Sequence, residues 1–140
     1  MNISDNIIGT VIANLKADAN FAYTNVFREF PGTLQDLPIR ETQISVGIDN
    51  VVLTGQDEDV ISGSEMFGKA RLKITVYAPK NSTGTGARCI STFENISKCL
   101  AKLAKSYTIE SIECSDVQYS MAIGGLFMNV YVTFSGKLLT

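Results

Sequence analysis

The sequence predicts an α+β domain, a mostly antiparallel four- to five-stranded sheet with two helices packed on one face. Three observations carry this. Two segments, one at the start and one past the middle, repeat apolar residues at helical spacing. Three others alternate apolar and polar residues at strand spacing, and Gly124-Gly125 sets a reversal between the last two β-prone stretches.

The opening helix follows from Ile7, Ile8, Val11, Ile12 and Leu15, which form one stripe. Ser4 suits its N-cap, and Asp5 suits the positive end of the helix dipole. Residues 23–30 are aromatic and β-favouring until Pro31-Gly32 breaks them, and the chain to Pro38 reads as loop. A half-buried strand is expected over 42–48, with Ile44, Val46 and Ile48 on one side and Gln43, Ser45 and Gly47 on the other. Residues 51–54 continue or re-form it after a kink at Asp49-Asn50. The stretch 56–64, with Asp57, Glu58 and Asp59 in a row, reads as a long exposed loop.

The clearest strand spans 69–78. Leu72, Ile74, Val76 and Ala78 share one face; Arg71, Lys73, Thr75 and Tyr77 share the other. One side of the sheet is therefore covered, and the other meets water or a partner. A second helix over 87–105 is expected to bury Ile90, Phe93, Ile96, Leu100 and Leu103. Its Lys98, Lys102 and Lys105 favour the negative end of the dipole. Residues 108–121 are β-prone but broken around Ser115-Asp116. The last strand, 126–134, sets Met128, Val130, Val132 and Phe134 against Phe127, Asn129, Tyr131 and Thr133.

A chain of 140 residues with 45% hydrophobic and 19% charged residues fits one globular domain spanning 1–140, with no repeat or linker to divide it. A net charge of −2 with scattered lysines and arginines gives no basic stripe for nucleic acid. No apolar run approaches the roughly 20 residues of a membrane span, and the N-terminus does not read as a signal peptide. An intracellular setting with Cys89, Cys99 and Cys114 reduced is expected.

The residue inventory points away from an enzyme. With no histidine, the commonest general base and metal ligand are missing. Cys89 and Cys99 stand ten apart, about 80° from a common helix face, without metal or redox spacing. All three cysteines read as small core or boundary residues. Gly84-Thr85-Gly86 before a helix lacks the lysine and hydroxyl residue of a phosphate loop and reads as a flexible connection. Asp57-Glu58-Asp59 lacks the spaced ligands of a calcium loop, and no metal or cofactor is expected. In several copies facing one channel, that triplet would form a negative ring. The candidate interface or lumen residues are Asp57, Glu58, Asp59, Phe67, Tyr77, Phe127 and Tyr131; aromatic side chains on a polar sheet face suit either a contact with a neighbouring protein or packing under a loop of the same chain, and the sequence leaves both open.

Beyond the residue chemistry, the order of elements resembles a known family. The opening helix over 5–16 and the stretch Val26-Phe-Arg-Glu-Phe-Pro-Gly running into Leu37-Pro38-Ile39 carry the likeness. The strand over 69–77, the polar loop, the helix over 87–105 and the closing hairpin at Gly124-Gly125 extend it. This pattern resembles the tail-terminator, or tail-completion, proteins of tailed bacteriophages and of phage-derived contractile, bacteriocin-like particles. The resemblance covers almost the whole chain as a pattern of elements, and it brings no sharp motif and no functional residue.

It implies a self-assembling ring, usually a hexamer, on the last layer of the tail tube. Such a ring ends tube growth, and sheath growth in contractile systems, and faces the neck or collar. The partners implied are other copies, the tube protein, and sheath, neck or collar proteins, with DNA only passing through the lumen of an infectious particle. The place implied is the host bacterial cytoplasm during assembly and the virion tail or tail-like particle afterwards. The competing readings are another neck or head–tail joining subunit, and a small-molecule-binding α+β module.

Overall fold

The structure, a computed structural model, describes residues 7–22, 24–28, 42–54, 66–79, 87–105 and 108–139. Ser4, Asp5, Pro31-Gly32, Asp57, Glu58, Asp59 and Gly84–Gly86 lie outside the described residues. The chain forms α1 (Gly9–Ala17), β1 (Asn25–Arg28), β2 (Gln43–Thr54), β3 (Met66–Pro79), α2 (Ala87–Ala101), β4 (Thr108–Cys114), β5 (Gln118–Ser120) and β6 (Gly125–Leu139). Short 3-10 turns follow the two helices at Ala19–Phe21 and Lys102–Lys105.

The sheet order is β1-β2-β3-β6-β4, with β5 also paired to β6. β1 runs parallel to β2, and all other pairings are antiparallel. The α+β class stands, with six strands rather than four or five. The additional strand arises because the break at Ser115-Asp116 is complete. There the Ser115 amide donates to the Asn129 carbonyl at 2.8 Å, and the Asn129 amide donates to Ser115 Oγ at 3.0 Å. These bonds pin the link to β6 while β4 and β5 pair on either side of it.

The expected alternation fixes the helix-side face of the sheet. Ile44, Val46, Ala70, Leu72, Ile74, Val76, Ala78, Met128, Val130, Val132 and Phe134 are buried in one cluster with Val11 and Leu15 of α1 and Ile96 and Leu100 of α2. Each large aliphatic side chain buried there contributes about 1.5–3 kcal/mol. Two bulges keep irregular apolar spacing on this face. In β2 the register slips between Ile48 and Asn50, so Val51 and Leu53 pack against the core beside Ile48 although their parity differs. In β4 a slip between Ile109 and Ser111 does the same for Ile109 and Ile112.

Two expectations need correcting. β2 is not half-buried at its start: Gln43, Ser45 and Gly47 are buried as well as Ile44 and Val46. The strand lies inside the sheet between β1 and β3. In α2, Ile90 is 43% exposed, and Cys89, Thr92, Ile96, Cys99 and Leu100 are buried, with Phe93 and Leu103 packed at the margin. The buried thiols behave as small apolar groups and rotate the helix, leaving Ile90 about 130° from the centre of its buried face.

Candidate interface

The face of the sheet turned away from the helix-packed core is built from cross-strand rows. The first places Gln43, Tyr77, Phe127 and Gln118 side by side, and the second Ser45, Thr75 and Asn129. The third holds Gly47, Lys73, Tyr131 and Glu113, and the fourth Asn50, Arg71, Thr133 and Ser111. Strand pairing thus brings residues of five strands into one surface, although they are far apart in sequence.

Of the candidate residues, Tyr77 and Phe127 are direct cross-strand partners, both half-buried. Tyr131 is four residues along β6 from Phe127, about 13 Å away. Phe67 does not join them. It pairs with Thr54 and Lys137 at the other end of β3, about 33 Å from Tyr77. The acidic triplet lies outside the described residues.

The charges on this face are largely paired. The Arg71 guanidinium carbon lies 4.2 Å from the centroid of the Tyr131 ring, and Arg71 Nε is 3.5 Å from an Asp49 carboxylate oxygen. Lys69 Nζ is 3.2 Å from Glu110 Oε2, where the carboxylate sits at the β4 bulge. Thr75 Oγ1 donates to Asn129 Oδ1 at 2.9 Å. The neighbouring Ser45 hydroxyl is buried and has no hydrogen-bond partner among the described residues; a buried hydroxyl left unpaired costs about 1–3 kcal/mol. Ser45, Gln43 and Thr75 are all buried, so this part of the face is covered and does not meet water.

No protein-family model matches this chain, and no curated protein is significantly similar to it. The case for function therefore rests on the chain's own geometry.

The cysteines occupy separate environments. Cys89 and Cys99 are buried, and Cys114 is exposed at the end of β4. Cys99 helps join the two helices. Asn14 Nδ2 donates to the Cys99 carbonyl at 2.9 Å and contacts its Sγ at 3.2 Å, while the thiol donates to the Asn14 carbonyl at 3.3 Å. Burial first, then the Asp18 carboxylate, push the Cys99 thiol up to about 11, and burial raises Cys89 as well. Both thiols are thereby held protonated and poorly nucleophilic. The Asp18 carboxyl is held below its usual range, chiefly by the backbone amide of Asn20 at 2.9 Å and further by Lys102 at 3.6 Å.

Among the described residues, no group of three or more histidine, cysteine, aspartate or glutamate side chains is placed to hold a metal ion. No helix there is long and apolar enough to cross a membrane.

Two exposed residues, Tyr119 and Met121, fall outside the polar-face pattern that singles out Tyr77, Phe127 and Tyr131. They are 49% and 86% exposed at the β5–β6 hairpin. The signal was present: from Val117 to Gly136 the chain carries no charged residue. Such a stretch is sparse in solubilising side chains wherever it reaches the surface.

Proposed function

We propose that this protein is a structural subunit that assembles into a hexameric ring on the end of a phage tail or phage-derived contractile tube. The ring stops growth of the tube and any sheath, and presents a surface to the neck or collar. The observation that carries the reading is the construction of the sheet. Helices cover one face, while the other holds half-buried aromatic side chains and charge pairs of its own. The sheet also ends in two different edges, β1 on one side and β4 with β5 on the other, and a subunit with two unlike flanks can join its neighbours by heterologous contacts that close. The family resemblance of the element order supplies the particle in which such a ring works. In this reading the protein performs no catalytic step, and its partners are other copies, the tube protein and the neck-side proteins.

A tube-capping assay tests it. Purified protein added to elongating tail tubes should halt their growth and decorate one end in electron micrographs. Tubes that keep elongating with undecorated ends in the presence of excess protein would contradict the proposal.

A further inference from the structure

We infer that the β5 edge, from Asp116 to Met121, adds antiparallel to the β1 edge of a second copy of this chain. The inference rests on the ring proposed above and deepens it by naming the seam between subunits.

The sheet ends in β1 on one flank and in β4 and β5 on the other. Among the described residues, β1 pairs with β2 alone, and β4 and β5 pair with β6 alone. The two halves of the second flank differ in how they are guarded. β4 carries a bulge and the exposed carboxylates Glu110 and Glu113, the usual devices against strand addition. β5 carries none of these; Tyr119 within it and Met121 just after it stand exposed in a charge-free stretch. The hairpin is held in shape. Gly124 turns at φ +62° with its amide 3.3 Å from the Met121 carbonyl, Ser115 is pinned to Asn129, and Val117 packs against the core. A fixed apolar tip of this kind gives up little entropy on docking.

Height, direction and charge select β1 as the occupant. The register sets Asn25, Gln43, Tyr77, Phe127 and Gln118 in one row, so β1 and β5 meet the same level of the sheet from opposite flanks. A closed ring has no translation along its axis, so its two joining patches must lie at one height. Through the pairings, β1, β2 and β6 run one way, and β3, β4 and β5 the other. Rotation about an axis along the strands preserves direction, so β5 of one copy meets β1 of the next antiparallel. That pairing sets the exposed Asp116, ahead of β5, near Arg28 at the end of β1, which are opposite charges. It also places Asn25 across from Gln118, and Tyr119 beside Thr24.

Disulfide trapping tests the seam. In a Cys114→Ser background, Asn25→Cys combined with Gln118→Cys puts two thiols on directly opposed positions, whose Cβ atoms stand about 4.5–5.5 Å apart in an antiparallel pair. Mild oxidation should give a ladder of covalent multimers that requires both cysteines, with each single variant staying at protomer mass on a denaturing gel. Rings seen by microscopy without a ladder would overturn the seam and leave the ring standing. Dimers from Gln118→Cys alone would replace it by a two-fold β5 contact. Protein that neither rings nor cross-links would remove both. A photo-crosslinking amino acid at the exposed Met121 is an independent check, with adducts expected near Thr24 and Asn25 of another copy. Adducts elsewhere, or none in assembled rings, would contradict the seam.

Discussion

Replacing Gly68 by alanine is expected to destabilise the protein by about 3 kcal/mol or more. Gly68 sits in β3 at φ +156°, paired with Leu53 on one side and Gly136 on the other. A Cβ there would meet the Val52 carbonyl oxygen at 1.9 Å. The obstacle is backbone in a neighbouring strand, so no rotamer change relieves it, and β2 would have to part from β3. Gly136→Ala is the control. Its φ of +122° is also costly for an L-residue, but nothing lies within 4 Å of the added carbon. Its expected loss is about 1–2 kcal/mol. Urea denaturation of the two variants would check the order. Equal losses would mean that β2 does not approach Gly68 closely.

The second large effect is kinetic. At pH 7 and without denaturant, Cys99 should react with a thiol reagent at least about a thousandfold more slowly than Cys114. Cys99 is buried and its thiol is raised to about 11, whereas Cys114 is exposed. Denaturant should bring the three cysteines to similar rates. Mass-mapped labelling reads this directly, and fast native labelling of Cys99 would restore a nucleophilic role. The same shift has a pH consequence. Because the folded thiol holds its proton above the ordinary value of 9.0, its contribution to stability is complete below pH 9. It is lost as pH rises from about 9 through 11. Cys99→Ala should therefore flatten the fall in stability over that window.

Much of the fold was legible because period-two alternation fixes which face a strand buries. Leu72, Ile74 and Val76, like Val130 and Val132, were assigned to the covered face by spacing alone and are fully buried there. The kink at Asp49-Asn50 was visible as a change of parity, since Val51 and Leu53 fall out of step with Ile44 and Val46. The parallel pairing of β1 with β2 was not legible, because alternation carries no information on strand order. The burial of Ser45 and Gln43 was hidden for a related reason. It depends on what lies over that face of the sheet, which the alternation within β2 does not encode. On α2 the expected stripe runs through Ile90 because it is drawn from the aliphatic and aromatic residues alone, whereas Cys89 and Cys99 also lie in the core and turn the buried face away from Ile90.

The candidate interface was legible only in part. Tyr77, Phe127 and Tyr131 were singled out on polar faces, and register then places Tyr77 beside Phe127 and Arg71 over Tyr131. Phe67 carries the same residue type but lies at the far end of β3. The exposed tip at Tyr119 and Met121 is written as an absence of charge over twenty residues, a weaker pattern than periodicity. It becomes meaningful once the hairpin holds those side chains outside the core.

Native mass spectrometry of the purified full chain, paired with negative-stain images of the same sample, addresses self-association most directly. The account predicts a closed ring with a mass several times the 15.2 kDa protomer. A species that stays at 15.2 kDa at high micromolar concentration, with no annular particles on the grid, would contradict it.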